Sequence, residues 1–276
     1  MSTRFAGRFK AQPALTRPDD VSARLLYHPI MSDTPRRHLE RHARHILLKE
    51  IGGPGLAKLS AAQVTLVGAG GIGGPCAQYL AAAGVGDIEI FDGDRVELSN
   101  LQRQVHFDEG DLGANKAEAL ARRLSRLNSD IRVTGRPAMF ARGTPARGSI
   151  LIDGTDRFEA RFDINAAAAD QGASLVSGAA IGWVGQVSVF TPAPGRAGPC
   201  YRCFVPDLPP EAEDCTRQGV VGPVVGIVGA RLALETVKLI TGAGLAGVGR
   251  LWSFDGLSGD ARTSRLSRDP GCPHCH

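Results

Sequence analysis

One stretch, "VTLVGAGGIGGPCAQYL" at residues 64–80, constrains the fold of this chain more than any other part of its sequence. It starts as a short apolar strand, passes through a cluster of glycines and continues with the apolar spacing of a helix. A second strand, at residues 87–94, follows at once, so that strand, helix and strand fall within about 30 residues. This unit predicts a glycine turn that seats a nucleotide at the amino-terminal end of a helix.

The same alternation continues to residue 181. Two helices alternate with three strands, the helices at residues 113–128 and 157–172 and the strands at 131–136, 149–156 and 173–181. An alternation of this length predicts an α/β fold: a doubly wound, mostly parallel, Rossmann-like sheet with helices on both faces. After Trp183 the loops lengthen and the strands alternate apolar with polar residues, which indicates an antiparallel extension at one sheet edge.

The organisation predicted for the whole chain is an arm followed by a single domain. Residues 1–36 lack sustained periodicity and are predicted to form a poorly ordered basic arm, and residues 37–276 are predicted to form the domain. The domain opens with a basic amphipathic helix that is predicted to stop at the glycines and proline of residues 52–55. The first 17 residues are basic and free of acids, a composition that also fits an organellar transit peptide.

Charge and aromatic content argue against nucleic-acid and membrane partners. Residues 1–50 hold ten Lys and Arg against five Asp and Glu. The rest of the chain holds 22 Lys and Arg against 23 Asp and Glu, so the body of the protein is nearly neutral. Aromatic residues make up 5% of the chain, too few for base-stacking surfaces. The most apolar stretch, residues 219–240, is broken by Pro223 and by charges from Arg231 onward, which predicts a buried helix rather than a membrane span.

Three glycines of the turn have separate expected roles. Gly68 permits the tight turn after the strand, Gly70 lets the backbone approach a phosphate, and Gly73 allows close packing of the helix. Asp92 ends the second strand, where a carboxylate accepts hydrogen bonds from ribose hydroxyls. This constellation alone fits NAD as readily as ATP.

The residues that follow the glycine turn narrow this choice. The segments "FDGDRVELSNLQRQVHF" at 91–107 and "GANKAEAL" at 113–120 resemble the MoeB/ThiF/HesA family of adenylating enzymes, relatives of the ubiquitin-activating enzymes. The resemblance covers residues 37–276 and is closest to the MoeB branch. It implies a ThiF-type adenylation domain that uses ATP and Mg²⁺ to activate the C-terminal glycine carboxylate of a small ubiquitin-like sulfur-carrier protein of the MoaD or ThiS type, with release of pyrophosphate.

The resemblance also implies roles for individual residues. Gly71 and Asp92 would hold the nucleotide. Lys116 would add a cation, and Asp156 would hold Mg²⁺ where ATP meets the carboxylate of the carrier. The phosphates would meet a run in which Asn100 and Arg103 make the contacts: Ser99, Asn100, Leu101, Gln102 and Arg103. Such charges suit the reaction, because the transition state at the α-phosphate spreads negative charge.

Two arginines extend this expectation. Arg44 matches the second arginine of the family's Arg-x-x-Arg helix, which reaches from one subunit into the nucleotide site of the other and so implies a homodimer. Arg157 stands directly after Asp156, where family members commonly have asparagine. It is expected either to add a cation at the phosphates or to form an ion pair with Asp153 or Asp156.

Four of the six cysteines form two Cys-x-x-Cys pairs. Cys200 with Cys203, and Cys272 with Cys275, each place two thiolates on a tight turn, and two such turns make a closed tetrahedral Zn²⁺ site. We expect a structural zinc knuckle with four cysteine ligands; two separate redox pairs are the alternative. Cys215 matches a family cysteine that in some members forms a thioester or persulfide link to the carrier, and its covalent role is left open.

The main prediction is therefore a cytoplasmic adenylyltransferase for molybdopterin or thiamine biosynthesis. Thiolate metal sites are typical of reducing compartments, and a chain ending at Cys275-His276 leaves no room for a rhodanese domain, so sulfur is expected from a separate donor protein. Three alternatives stay open. They are a scaffold that binds nucleotide and carrier without turnover, an NAD-dependent oxidoreductase on the same glycine loop, and a tRNA cyclase of the same superfamily.

Overall fold

The computed structural model describes residues 36–193, 198–208, 219–272 and 274–275, and these contain one eight-stranded sheet flanked by helices. The strands are β1 (Gln63–Val67), β2 (Asp87–Phe91), β3 (Arg132–Arg136), β4 (Ile150–Asp153), β5 (Ser174–Ile181), β6 (Val184–Phe190), β7 (Arg250–Asp255) and β8 (Ala261–Arg265). The helices are α1 (Arg36–Arg41), α2 (Ala43–Ile46), α3 (Gly52–Ala61), α4 (Gly73–Ala83), α5 (Lys116–Leu127), α6 (Phe158–Asp170), α7 (Tyr201–Phe204) and α8 (Gly222–Thr241). The predicted arm lies outside the described residues except for its last position, where α1 begins.

The strand order is β3-β2-β1-β4-β5-β6-β7-β8. The first five strands in this order pair in parallel, and β6, β7 and β8 continue the sheet with antiparallel pairing. The predicted doubly wound sheet with an antiparallel extension is thus confirmed. From β1 the chain winds first toward β3 and then back toward β5, so a crevice forms at the carboxyl ends of β1 and β4.

Apolar side chains cover the sheet on both faces. Strands β2 and β4 are buried at every position, as expected for parallel strands with helices above and below. On one face α4 packs against α8, and their shared core includes Leu80, Val228 and Leu232. On the other face α6 contributes Ile164, and α7 contributes Tyr201, to a second core.

One predicted boundary is wrong. The residues expected to end the first helix, 52–55, instead begin α3. Pro54 lies in the first turn of α3, where no helical partner needs its missing N–H, and Leu56 and Leu59 bury the face that follows. The basic helix before it is divided into α1 and α2, with His42 buried at the junction.

The apolar stretch at residues 219–240 forms α8, as predicted. Pro223 lies in the first turn of α8. The helix ends at Gly242, whose φ of 77° stops it. Within the described ranges, no helix combines the length and the apolar character needed to cross a bilayer.

Candidate functional site

The glycine turn between β1 and α4 lies at the crevice where the winding of the sheet reverses. Gly68 has a φ of 91°, a conformation that residues with side chains rarely adopt. At Gly73 a Cβ atom would overlap with the Gly68 carbonyl oxygen. A Cβ atom at Gly68 would meet the Gly154 backbone, and one at Gly73 would push the start of α4 away from the turn. The turn leads directly into α4, and a helix start of this kind is a common place for anions to bind.

Asp92 follows β2 and holds the glycine turn from the side. Its Oδ2 accepts the Ala69 N–H at 2.7 Å, and its Oδ1 accepts the Asp94 N–H at 2.8 Å. Burial raises the pKa of the Asp92 carboxyl, while these two N–H groups and the Lys116 ammonium lower it. Asp92 thus orders the turn and also lines the cavity beside it.

His106 is a residue of the site that the sequence analysis missed. Its Nε2 lies 2.9 Å from the Ala69 carbonyl oxygen, and the side chain is buried. Burial lowers the pKa of the imidazole to about 4, so the neutral ring donates its Nε2–H to that carbonyl near pH 7. The Ala69 residue is therefore held at its N–H by Asp92 and at its C=O by His106. No periodicity marks such a residue, because its role exists only through a tertiary contact.

His106 is expected to make the fold less stable below pH 6.5. Its pKa is about 4 in the folded chain and returns toward 6.5 on unfolding, so between these values the unfolded state binds more protons and the free energy of unfolding falls as the pH falls. His106→Gln keeps an N–H donor for Ala69 but does not titrate. Urea unfolding at pH 7 and pH 5 should show that the wild type loses about 2 kcal/mol more than the variant. If the wild type and His106→Gln lost the same free energy of unfolding between pH 7 and pH 5, the His106 ring would not be neutral and buried in the folded chain.

The segment after β2 brings part of the predicted phosphate-contacting run to the cavity. Gln102 and Arg103 line the cavity, and Arg103 Nη1 donates to the Ser99 carbonyl oxygen at 3.1 Å. Three members of the run lie outside the lining: Ser99, Asn100 and Leu101. Asn100 is buried, and its Oδ1 accepts the Glu97 N–H at 3.4 Å in a short turn. Its side chain orders the segment that presents Arg103.

Lys116 begins α5 and reaches the cavity from a buried position. Its Nζ lies 3.2 Å from Asp94 Oδ2; the lysine side chain is 9% exposed and the aspartate 65% exposed. Asn115 caps α5 and donates through Nδ2 to the Asp92 and Asp94 carbonyl oxygens, at 2.9 and 3.1 Å. The Asn115 side chain therefore holds the start of α5, where Lys116 lies, against the end of β2 that leads into Asp92.

Asp156 lies in the turn after β4, exposed and in the wall of the same cavity. The buried Asp153 carboxylate orders this turn by accepting the Thr155 N–H at 3.0 Å and the Thr155 hydroxyl at 2.7 Å. Within the described ranges, the ion pair of Asp153 is with Arg161, at 3.8 Å. Among the described residues Arg157 forms no ion pair with Asp153 or with Asp156, so the second of its two expected roles is not observed. Arg157 is exposed and lines the cavity as a cation.

These residues surround one cavity of about 640 Å³, a size suited to a small-molecule ligand. The predicted site residues in its wall are Gly68, Gly70, Gly71, Asp92, Gln102, Arg103, Lys116, Asp156 and Arg157. Gly73 lies outside the lining, and Arg44, exposed on α2, is not part of it either. Cys215 lies outside the described residues, so its role stays a prediction.

The two Cys-x-x-Cys pairs come together at the end of α7. The Sγ atom of Cys200 lies 3.8 Å from that of Cys203 and 3.5 Å from that of Cys272, and Cys203 Sγ lies 3.5 Å from Cys275 Sγ. All four thiols are free and lie within 4.8 Å of one another. Four sulfurs bound tetrahedrally at about 2.3 Å from Zn²⁺ would be roughly 3.8 Å apart. The cluster thus fits a single metal ion better than two separate redox pairs.

The cavity wall has the chemistry of a phosphate site. Arg103, Lys116 and Arg157 supply positive charge, the glycine turn supplies backbone N–H groups, and Asp156 supplies an exposed carboxylate. A hard oxygen ligand of this kind suits Mg²⁺ beside a polyphosphate. Phe91 and Phe140, whose rings meet edge to face at 5.3 Å, add an apolar wall near Asp92.

Sequence comparison relates the chain to adenylyltransferases. The ThiF family matches residues 42–274. The sulfur carrier protein ThiS adenylyltransferase of Escherichia coli (strain K12) is 41% identical over 243 residues, covering 87% of this chain and 96% of that protein. The sulfur carrier protein adenylyltransferase of Thermus thermophilus is 38% identical over 248 residues, with 87% and 92% covered. The adenylyltransferase and sulfurtransferase MOCS3-1 of Zea mays is 40% identical over 249 residues, and the chain spans 52% of its length.

Structure comparison relates the fold to an enzyme crystallised with ATP. The crystal structure of Escherichia coli MccB with ATP superposes with a TM-score of 0.76 at 23% sequence identity, covering 89% of this chain and 75% of that one. At this identity the likeness concerns the fold.

Proposed function

The chain belongs to the ThiF family, and on that premise we propose that it is an ATP-dependent adenylyltransferase that activates the C-terminal glycine carboxylate of a ubiquitin-like sulfur-carrier protein. The product is the acyl-adenylate, and pyrophosphate is released. With a ThiS-type carrier the reaction would serve thiamine biosynthesis, and with a MoaD-type carrier it would serve molybdopterin biosynthesis, in either case in the cytoplasm. A separate protein would then supply the sulfur.

One observation carries this proposal: Asp156 shares a single cavity with Arg103, Lys116 and the glycine turn. Adenylation needs a cationic cradle for a triphosphate and a carboxylate for its divalent cation at one place. The scaffold alternative uses the same cradle without turnover. Only measured turnover separates the two.

The residues divide the reaction between binding and charge stabilisation. The glycine turn and Asp92 would hold the nucleotide, with the Asp92 carboxylate facing the ribose. Arg103 and Lys116 would offset the negative charge that builds up as a carboxylate oxygen of the carrier attacks the α-phosphorus and the bond to pyrophosphate breaks. Arg157 would add a cation at the same phosphates.

Two metal ions fit the donor sets of this chain. Mg²⁺ suits the exposed Asp156 carboxylate, and when bound it would neutralise part of the triphosphate charge. Zn²⁺ suits the four-cysteine cluster at Cys200, Cys203, Cys272 and Cys275, whose Sγ atoms lie within 4.8 Å of one another and would supply four ligands to the ion. Its role would be structural.

We further propose that the active form is a homodimer in which Arg44 acts in the site of the partner. Arg44 is exposed on α2 and does not line the cavity of its own chain. An arginine supplied in trans would complete the charge around the phosphates.

Mixing two inactive variants tests this arrangement. Arg44→Ala keeps an intact Asp156, and Asp156→Ala keeps an intact Arg44. If Arg44 acts in trans, each mixed dimer has one complete site, and random exchange of subunits should restore about a quarter of the wild-type activity. Activity is measured after mixing at equal concentration, with each variant alone as the control. No recovery, with subunit exchange verified by mass spectrometry, would place Arg44 in its own site.

The function itself is tested by exchange of labelled pyrophosphate into ATP with Mg²⁺. Carriers of the ThiS and MoaD types are supplied in turn, with Asp156→Ala as the control. Exchange that depends on one carrier and is lost in the variant is the expected result. Tight ATP binding with no exchange for any carrier would favour the scaffold, and NAD binding in preference to ATP would favour the oxidoreductase.

A further inference from the structure

A buried cation lies between the candidate nucleotide cavity and the cysteine cluster. Arg161, on the first turns of α6, is 9% exposed and lines the cavity, although the sequence analysis gave it no role. A guanidinium in such a place loses its hydration, which is costly unless neighbouring groups replace it. Its neighbours therefore indicate what it does.

On the cavity side, Arg161 holds the turn that carries Asp156. Its Nη2 donates to the Thr155 carbonyl oxygen at 3.0 Å, in the peptide unit that leads directly into Asp156. Its Nε lies 3.8 Å from Asp153 Oδ2, and the same oxygen accepts the Ser177 hydroxyl at 2.6 Å. The negative charges of Asp153 and Asp156 both favour the charged guanidinium and raise its pKa, against the effect of burial.

On the other side, Arg161 reaches the residue next to the cysteine cluster. Its positive charge acts on the phenol of Tyr201, the residue directly after Cys200, and lowers the pKa of that phenol against the raising effect of burial. Tyr201 is buried, and its own N–H donates to Asn165 Oδ1 at 2.8 Å. Because Asn165 and Arg161 both belong to α6, the Tyr201 backbone is held against the helix that carries Arg161.

Helix α6 is clamped to the cysteine turn by further contacts. The Tyr201 ring meets the Phe162 ring of α6 edge to face at 5.8 Å, and on its other side it meets the Phe190 ring of β6 at 5.7 Å. The guanidinium of Arg202, between Cys200 and Cys203, lies 3.8 Å from the centre of the Phe162 ring. Phe162 is the neighbour of Arg161 in the chain, so the cysteine turn and the arginine are positioned by one short segment of α6.

We propose that Arg161 is a positioning residue: oriented by Tyr201, it fixes the turn that carries Asp156 for binding of the divalent cation with ATP, and so links the cysteine cluster to the nucleotide cavity. The inference rests on the proposed function for the identity of the bound ligand. It assigns the cysteine cluster a part in ordering the site, in addition to holding α7 to the C-terminal residues.

The first test measures cation binding directly. Binding of Mn²⁺ in the presence of ATP is followed by electron paramagnetic resonance in the full-length wild type, Arg161→Met, Arg161→Lys and a control, Arg132→Met, which loses an ion pair with Asp87 at the opposite end of the sheet. Arg161→Met should raise the half-saturating Mn²⁺ concentration about tenfold and lower the rate of pyrophosphate exchange about 100-fold, because small displacements of a reacting group cost this much. Arg161→Lys should recover part of both losses. An Arg161→Met protein with unchanged Mn²⁺ binding would overturn the proposal.

The second test asks whether Tyr201 acts through Arg161. Tyr201→Phe removes only the hydroxyl and should raise the half-saturating Mn²⁺ concentration about fivefold. In the Arg161→Met background the same change should have no further effect, whereas two independent structural losses would multiply. If the effects of Tyr201→Phe and Arg161→Met on the half-saturating Mn²⁺ concentration multiplied, Tyr201 would not act through Arg161. Mn²⁺ binding with ATP is measured without a carrier. If the wild type showed no pyrophosphate exchange, that result would count against the proposed function, and the Mn²⁺ measurements would still test the role of Arg161.

Discussion

Replacing Asp156 with asparagine is expected to lower the turnover of carrier adenylation by a factor of about 10² to 10³. The asparagine would keep the shape of the side chain but lose the negative charge that, in the proposed function, would hold the divalent cation beside the phosphates. Asp156 is exposed in the cavity wall, so the substitution should change the free energy of unfolding by no more than about 0.5 kcal/mol. Steady-state pyrophosphate exchange and urea unfolding measure the two quantities.

Asp170→Asn is the matched control for this substitution. Asp170 ends α6, the helix that begins just after Asp156, and it forms an exposed ion pair with Arg142 at 3.2 Å. The control removes the same charge from the surface and should leave exchange within about twofold of the wild type, since an exposed pair contributes little. Equal losses of turnover in the two variants would show that the charge at position 156 has no special place in the reaction.

The sequence was most informative where local pattern and chemistry coincide. The glycine turn, Asp92 and the carboxylates after β4 follow from strand ends that meet at one edge of a parallel sheet. The cysteine pairs follow from a spacing that few other sites share. Each of these features is encoded within a few neighbouring residues, so it can be identified before the fold is known.

The features that the sequence did not predict depend on contacts between distant segments. His106 and Arg161 look like ordinary polar residues until the fold places one under the glycine turn and the other between Asp153 and Tyr201. Asn100 was expected at the phosphates, but its side chain closes a local turn, which a family pattern does not specify. The start of α3 was missed because glycine and proline usually end helices, and only the burial of Leu56 shows why one begins there.

The largest effect on stability is expected from Cys203→Ala. The cysteine cluster joins α7 to residues 272 and 275, far along the chain. Its four Sγ atoms lie within 4.8 Å of one another without a disulfide, so a bound metal ion would connect these segments. If the cluster holds the proposed Zn²⁺ ion, loss of one ligand should release it and lower the free energy of unfolding by roughly 3 to 5 kcal/mol, or the melting temperature by roughly 6 to 20 °C. Calorimetry gives the shift, and elemental analysis gives the zinc content.

Cys76→Ala separates loss of the metal from loss of a thiol. Cys76 is completely buried on α4, away from the cluster, and burial keeps its thiol protonated by raising its pKa. Its removal should cost about 1 kcal/mol and leave the zinc content unchanged. A chelator should destabilise the wild type and Cys76→Ala equally but have no further effect on Cys203→Ala, because the ion is already lost. If all three proteins responded to the chelator alike, the ion would be bound elsewhere, and the order of Tyr201 and Arg161 would have to come from α6 alone.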